Sequence, residues 1–225
     1  MPGVMKKHVI LFLAANPRTS NPLRLAEECA EIQRELKMSP HRDDFQFESR
    51  WAVSIDELMR HLNELAPTVI HFAGHGAGKP AGSAAGTRRD IVVPGATGGA
   101  DGGIYLQDEQ GQPQLVSPRA LAMMIKAAGN SARVVVLNAC YTAAQADVLR
   151  DKVECIVGMD GAIEDDAARA FAMRFYGALG SRRSVGNAVD QGIAALAAKQ
   201  MPDELLPRCM TRDGVDGYKV LLDPS

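Results

Sequence analysis

Two short stretches of the sequence carry side chains that could make and break covalent bonds. Residues 69–76 read VIHFAGHG and place His75 between two glycines, directly after an apolar run. Residues 134–141 read VVVLNACY and place Cys140 just beyond the most continuous apolar run of the chain. Glycines on both sides of His75 allow a sharp turn and a close approach of the backbone to a ligand.

The pair of Cys140 and His75 predicts covalent catalysis by a thiolate. A thiol of ordinary pKa is only slightly ionised at neutral pH, but a neighbouring imidazole can accept its proton and stabilise the thiolate. The same imidazole can later protonate a leaving amine. We predict the N–H groups of Gly76 and Cys140 as the oxyanion hole, because a glycine turn and a strand end leave backbone amides free.

Alternating strand and helix patterns predict the scaffold that must position these two residues. Strands are predicted at residues 8–15, 45–53, 68–72, 133–137 and 153–157, with a late edge strand at 218–222. Helices are predicted at residues 22–37, after an Asn21 N-cap, and at 54–65, behind a Ser54–Glu57 capping box. Another helix is predicted to begin at Ser117-Pro118, and one follows the 133–137 strand up to about residue 150. The last two are predicted at 165–179 and 185–198. Strands separated by helices predict an α/β fold with a mostly parallel central sheet and helices on both faces. In such sheets the carboxyl ends of the strands bind ligands, so His75 and Cys140 can share one edge.

One segment interrupts this alternation. Residues 77–103 are rich in glycine and alanine, which predicts a flexible, exposed insertion within a single domain at 1–225. Within this segment, a small hairpin at residues 91–93 is one interpretation of the sequence. Two interpretations stay open: a regulatory loop in which Arg88 and Arg89 form a processing site, or an unselected surface loop.

The other cysteines and histidines favour structural roles. Cys29 falls in a predicted helix, Cys155 in a strand and Cys209 in the tail, and all three are predicted to be non-catalytic. No CxxC pair supports zinc, and the spacing of His71 and His75 crosses from a strand into a turn, so no metal is expected. His71 is predicted to pack or to donate a hydrogen bond behind the site. Since the stretch AGHGAGK also lacks the P-loop pattern, no cofactor is expected.

Composition excludes several function classes. The net charge is −2 and the pI about 6.2, so nothing favours binding to nucleic acid or to an anionic membrane. The apolar runs are too short to span a bilayer. Nothing in the sequence suggests export, which predicts a cytoplasmic protein with reduced thiols.

The two motif blocks together resemble the CHAT domains, the bacterial branch of the caspase, metacaspase, separase and gingipain group. HFAGHG and VVVLNACYT carry the resemblance, and ILFLAANP, GIYLQDEQGQPQLVSPRALA and CIVGMDGAIEDDAARAFAMRFYGALG extend it over roughly residues 8–198. The resemblance implies a caspase-like three-layer fold, a His75–Cys140 dyad without an obligatory third member, and endopeptidase activity on proteins. The insertion after the His-Gly turn departs from the family pattern.

The resemblance also suggests a substrate pocket. Asp160 follows the strand after Cys140. In this fold group, that edge contributes to the pocket for the substrate residue before the scissile bond. A carboxylate there favours arginine or lysine in the substrate. Asn138 is a second predicted substrate-binding residue. Glu164, Asp165 and Asp166 fit ordinary acids at a helix N-terminus.

CHAT-like domains are often joined to sensor or repeat domains in bacterial defence, including antiviral defence, and in signalling. No such domain is visible in this sequence, so an upstream activating protein or a protease is expected to control the enzyme. Two alternatives stay open. One is a catalytically silent, caspase-like interaction module, and the other is a different thiol-acyl chemistry such as deamidation or transacylation.

Overall fold

The architecture is taken from a computed structural model that describes residues 6–78 and 102–223. The described strands, in chain order, are β1 (His8–Ala15), β2 (Phe45–Trp51), β3 (Val69–Gly74), β4 (Gly76–Ala77), β5 (Gly103–Gln107), β6 (Pro113–Val116), β7 (Val134–Asn138), β8 (Cys155–Met159) and β9 (Pro207–Thr211). The described helices are α1 (Leu25–Met38), α2 (Ile55–Leu65), α3 (Pro118–Ala127), α4 (Ala143–Leu149), α5 (Asp165–Leu179) and α6 (Val185–Ala198). Short 3-10 turns lie at Arg42–Asp44, Pro202–Leu205 and Gly217–Lys219.

The main sheet has six strands in the order β2-β1-β3-β7-β8-β9. The first five run parallel to one another, and β9 is antiparallel to β8. A second, three-stranded antiparallel sheet in the order β4-β5-β6 continues directly from the β3 end. The predicted α/β fold with a mostly parallel sheet is therefore confirmed.

Helices cover both faces of the main sheet because its central strands are apolar on both sides. Ile10 and Phe12 of β1 pack with α1, α5 and α6, whereas Leu11 and Leu13 pack with α2, α3 and α4. This two-sided burial explains why β1 shows a continuous apolar run and no alternation.

Local signals fix several helix starts. Ser54 begins α2 with the predicted capping box: its hydroxyl accepts from Glu57 N, and Glu57 Oε2 accepts from Ser54 N at 2.9 Å. Hydrogen bonds from the Ser54 backbone and hydroxyl lower the pKa of Glu57. Ser117 likewise caps α3, with Pro118 in its first turn.

Several element boundaries differ from the prediction, most clearly those of α1 and β8. Helix α1 begins at Leu25, with Arg24 at the N-cap position, so Asn21 is not its cap and Pro22 is not its first residue. Strand β8 runs from Cys155 to Met159, two residues later than predicted. Val153 is apolar because it packs into the core beneath the sheet, and it makes no strand pairing.

The late strand at 218–222 is also wrong. Gly217–Lys219 form a 3-10 turn, and the edge strand is β9, which contains Cys209. Val220 and Leu222 are buried because they pack against the α6 side of the core, and the Val220 carbonyl accepts from Val185 N at 2.9 Å. Their alternation thus reflects contact with a helix.

The predicted insertion is shorter than residues 77–103. Its two ends are ordered strand residues, because Ala77 pairs with Gly103 in the β4–β5 ladder. The predicted hairpin at 91–93 and the Arg88–Arg89 pair lie outside the described residues. Within the described chain, no helix has both the length and the apolarity needed to cross a membrane.

Candidate active site

The register of two adjacent parallel strands brings His75 and Cys140 together. Strands β3 and β7 are hydrogen-bonded neighbours, and Ala73 lies opposite Asn138. His75 and Cys140 each follow two residues after that matched pair. The two side chains therefore leave the same edge of the sheet from neighbouring strand ends, as the sequence predicted.

Gly76 lets the backbone of the histidine turn touch the backbone at Cys140. A Cβ atom added at Gly76 would lie 2.1 Å from the carbonyl oxygen of Cys140 and 3.2 Å from its nitrogen. No side chain fits in that space, because real Cβ contacts do not come so close. The two backbones that we predict as the oxyanion hole are thus in contact.

A backbone carbonyl fixes the tautomer of His75. Its Nε2 lies 2.8 Å from the carbonyl oxygen of Asn21. A carbonyl can only accept a hydrogen bond, so Nε2 carries the proton and Nδ1 carries the lone pair. Nδ1 is buried and has no hydrogen-bond partner among the described residues. The nitrogen left to act as a base is therefore Nδ1.

The surroundings of Cys140 favour the neutral thiol. It is 6% exposed, and its Sγ donates to the carbonyl oxygen of Ile163 at 3.8 Å. Burial raises the pKa of the Cys140 thiol, and the negative charges of Glu164 and Asp203 add to this effect. Burial lowers the pKa of His75, against the opposing effects of the Asn21 hydrogen bond and the Asp165 charge. Both shifts favour a thiol beside a neutral imidazole over an ion pair.

The turn that carries Cys140 is tied to the next strand. Tyr141 has a φ of 57°, in the left-handed region that few residues other than glycine adopt. Its N–H donates to the Gly161 carbonyl at 2.9 Å. The Thr142 hydroxyl lies 2.8 Å from the carbonyl oxygens of Leu137 and Ala139 and accepts from Met159 N at 3.0 Å. These bonds fix the turn between the ends of β7 and β8.

His75 and Cys140 line one small cavity. Its volume is about 40 Å³, room for roughly one water molecule but not for a peptide. The other lining residues are Leu23, Leu25, Glu28, Gly74, Asn138, Ala139, Ile163, Asp165 and Ala168. The partly exposed members Leu23, Ile163 and Asp165 form what we call the outer wall. The site is closed in this conformation.

Ion pairs join the two sides of the outer wall. Arg24, beside Leu23, contacts Asp165 through Nε at 2.9 Å and also pairs with Asp166. One turn further along each helix, Arg169 of α5 contacts Glu27 and Glu31 of α1 at 2.8 Å each. The N-terminal ends of α1 and α5 are thus held together across the cavity. No pattern in the sequence predicts this position for Asp165, since an acidic residue at a helix start has an ordinary structural explanation.

The predicted specificity residue Asp160 lies outside the cavity. It follows the carboxyl end of β8, beside Gly161, and pairs with Arg208 at 3.5 Å while its side chain stays 35% exposed. It therefore lies on the same edge of the sheet as Cys140, on open surface. Its contact with a substrate stays a prediction.

Asn138 lies in the cavity wall and is 4% exposed. Its Nδ2 donates to Glu28 Oε1 at 2.6 Å and to the Ala168 carbonyl at 3.2 Å, so buried partners hold the side chain. Substrate binding by Asn138 is untested. His71 forms buried hydrogen bonds with Glu28 and Tyr176, as predicted for a residue behind the site. Sequence reasoning missed Glu28, a charged residue on the apolar face of α1.

Comparison with known proteins supports the resemblance seen in the sequence. The family model described as CHAT domain matches residues 5–205. A Roc-COR-CHAT protease from an unknown prokaryotic organism is 20% identical over 202 residues, which cover 87% of this chain and 17% of that protein. The crystal structure of a secreted C11 cysteine protease from Bacteroides thetaiotaomicron, in complex with an irreversible peptide inhibitor, superposes with a TM-score of 0.59 at 13% identity. That match covers 86% of this chain and 60% of the other, and confirms the caspase-like fold.

Replacing Gly76 by alanine tests the backbone contact with Cys140. We expect Gly76→Ala to destabilise the protein by about 1–3 kcal/mol, because the new Cβ must displace backbone atoms. Gly177→Ala is the matched control: its nearest neighbour is the flexible end of Glu35 at 3.1 Å, and alanine favours the α5 helix. Urea denaturation measures the free energy of unfolding of both variants. Equal stability of the two variants would contradict the contact.

The lowered pKa of His75 predicts a pH dependence of stability. As the pH falls through 6.5, the ordinary pKa of a histidine side chain, the unfolded chain binds a proton before folded His75 does. The stability due to neutral His75 is thus present above pH 6.5 and lost below it. We expect the wild type to lose its advantage over His75→Gln on acidification, by at most about 1.4 kcal/mol per pH unit. A constant difference in the free energy of unfolding between pH 8 and pH 5 would contradict the burial of His75.

Proposed function

Because the chain belongs to the CHAT-domain family, we propose that it is a cysteine endopeptidase with Cys140 as nucleophile and His75 as general acid/base. The observation that carries the proposal is the shared cavity, into which neighbouring strand ends bring a thiol and an imidazole whose Nδ1 is free to accept a proton. The chain spans only part of the relatives it matches, so support for the activity comes from this geometry and from family membership.

The proposed reaction uses the geometry in four steps. His75 Nδ1 takes the Cys140 proton, and Sγ attacks the carbonyl carbon of the scissile peptide bond. The N–H groups of Gly76 and Cys140 stabilise the oxyanion. The imidazolium then protonates the leaving amine, which leaves an acyl thioester on Cys140. Nδ1 finally takes a proton from water, and the resulting hydroxide releases the acid product and the thiolate, which regains its proton.

Asn21 supports the charge that develops on His75. Its carbonyl oxygen accepts from Nε2–H at 2.8 Å, and the same bond persists when the ring becomes a cation. A hydrogen bond from a charged donor is about twice as strong as one between neutral groups. The contact therefore stabilises the imidazolium more than the imidazole, without a carboxylate as third member.

The closed cavity supports control of the proposed activity. A peptide can reach Cys140 only if the outer wall opens, and the ion pair between Arg24 and Asp165 must then separate. Exposed ion pairs contribute about 0–1 kcal/mol each, so a partner or a cleavage event can supply the energy. We propose this control for a role in bacterial defence or signalling. Processing at Arg88 and Arg89 is part of the proposal and lies outside the described residues.

Asp160 remains the proposed determinant of a basic residue before the scissile bond. Its ion pair with Arg208 is long and partly exposed, so an arginine or lysine of a substrate can replace Arg208 at modest cost. Asp160 directly precedes Gly161, and the Gly161 carbonyl accepts a hydrogen bond from the N–H of Tyr141, the residue after Cys140.

Peptide hydrolysis tests the proposal in purified protein that carries Arg24→Ala, which removes the ion pairs with Asp165 and Asp166 and frees the outer wall. We expect fluorogenic peptides ending in Arg or Lys to be cleaved faster than those ending in Asp or Met, with cleavage abolished in Cys140→Ala. His75→Ala should lower kcat at least about 100-fold, since positioned acid/base catalysis contributes that much. Asp160→Asn should reduce the preference for Arg while leaving Met peptides unchanged.

Parallel labelling separates the alternatives. Iodoacetamide alkylates Cys140 faster than Cys29 in a working dyad, and the difference disappears in His75→Ala. An interaction module gives neither cleavage nor any effect of His75 on alkylation, which would refute the enzyme proposal. Mass analysis of the products distinguishes hydrolysis from deamidation or transacylation. A preference for Asp over Arg would refute the role of Asp160 alone.

A further inference from the structure

A buried polar cluster beneath the dyad joins α1, β3, β7 and α5. Its members are at most 4% exposed: Glu28, His71, Asn138 and Tyr176. One atom, Glu28 Oε1, lies 2.9 Å from His71 Nε2 and 2.6 Å from Asn138 Nδ2. The other nitrogen of His71, Nδ1, lies 3.0 Å from the Tyr176 hydroxyl. A single carboxylate oxygen thus links two strands of the sheet.

Both strand side chains donate to Glu28. A carboxylate can only accept, so His71 Nε2 carries a proton, and His71 Nδ1 forms a hydrogen bond with the Tyr176 hydroxyl. The Asn138 amide is fixed in the same way, because its Nδ2 also donates to the Ala168 carbonyl. Phe12 stacks on the His71 ring at a centroid distance of 5.1 Å. Neither side chain can rotate without breaking a buried hydrogen bond.

The two strands linked by Glu28 are those that carry the dyad. His71 lies four residues before His75, and Asn138 two residues before Cys140. Glu28 itself lies in the first turn of α1, close after the segment whose Asn21 carbonyl holds His75 Nε2. One carboxylate therefore ties the start of α1 to both strand ends, directly beneath the reacting groups.

Stability of the fold does not explain a carboxylate in this place. Removing a carboxylate from water costs several kcal/mol, and well-packed hydrophobic residues often replace buried ionic groups without loss of stability. The other buried residues of α1 are apolar, namely Leu25, Cys29, Ile32 and Leu36, so Glu28 is the exception on this face. The hydrogen bonds that Glu28 makes to the two strands are what an apolar side chain would not supply.

We propose that Glu28 is a positioning residue that sets the distance between His75 and Cys140 through His71 and Asn138. This role deepens the proposed function and rests on it. Glu28 does not contact the reacting atoms in the proposed reaction. Its loss uncouples the imidazole from the thiol.

A double-mutant cycle measures that coupling without any substrate. Peptide mapping measures the rate of iodoacetamide alkylation at Cys140 at pH 7. This rate is determined with and without His75→Asn in each of four backgrounds. These are the wild type, Glu28→Leu, Glu28→Gln and Glu35→Leu. Glu28→Gln keeps an oxygen that accepts both hydrogen bonds. Glu35→Leu is the matched control, since Glu35 lies on the same helix and pairs with Arg174 at the surface.

We expect His75→Asn to slow alkylation at least about tenfold in the wild type, in Glu28→Gln and in Glu35→Leu. In Glu28→Leu the effect should shrink to less than about twofold. Rescue by glutamine is the result that a purely packing role would not give. An equal effect of His75→Asn in Glu28→Leu and the wild type would overturn the role of Glu28 and leave the dyad intact. No effect in the wild type would instead overturn the dyad, and the inference with it.

Circular dichroism establishes that each variant is folded before alkylation is measured. If Glu28→Leu does not fold, Asn138→Ala carries the test, because it removes the bonds from β7 to the carboxylate and to the Ala168 carbonyl while His71 keeps its bond to Glu28. The same loss of coupling is expected there. Full coupling in folded Asn138→Ala would show that the strand ends keep their distance without Glu28, and would refute the proposal.

Discussion

The account depends on the parallel pairing of β3 with β7. Its register places Ala73 opposite Asn138, so the residues two positions further on, His75 and Cys140, leave the sheet side by side. A shift of one residue would turn one of the two side chains to the other face of the sheet. Gly76 then closes the gap between the two turns, since its backbone touches that of Cys140. The candidate chemistry is thus a consequence of strand register.

Burial keeps the candidate site protected at rest, although its polar groups are already held in place. The same desolvation that raises the pKa of Cys140 and lowers that of His75 keeps the resting dyad neutral and protected. The polar groups nearby are held by fixed partners, Asn21 for the imidazole and Glu28 for the strands beneath. The external control proposed above requires a site that is built but closed.

The sequence predicted the parts of this structure that depend on local patterns. The apolar runs gave the central strands, the capping box gave α2, and the His-Gly and Asn-Ala-Cys blocks pointed to the correct edge of the sheet. Contacts between distant residues were out of reach. Nothing near Asn21 indicates that its carbonyl binds His75, and Val220 shows the alternation of a strand although it packs against a helix. Glu28 could be noticed only as a charge among apolar neighbours on α1.

A structure of the protein after reaction with an arginyl chloromethyl ketone tests the central claim most directly. The account predicts a thioether bond from Cys140 Sγ to the inhibitor, an opened outer wall, and His75 Nδ1 within about 4 Å of Sγ while Nε2 still donates to Asn21. Labelling of Cys29, Cys155 or Cys209 in place of Cys140 would contradict it. So would a labelled Cys140 with the His75 ring turned away from the sulfur.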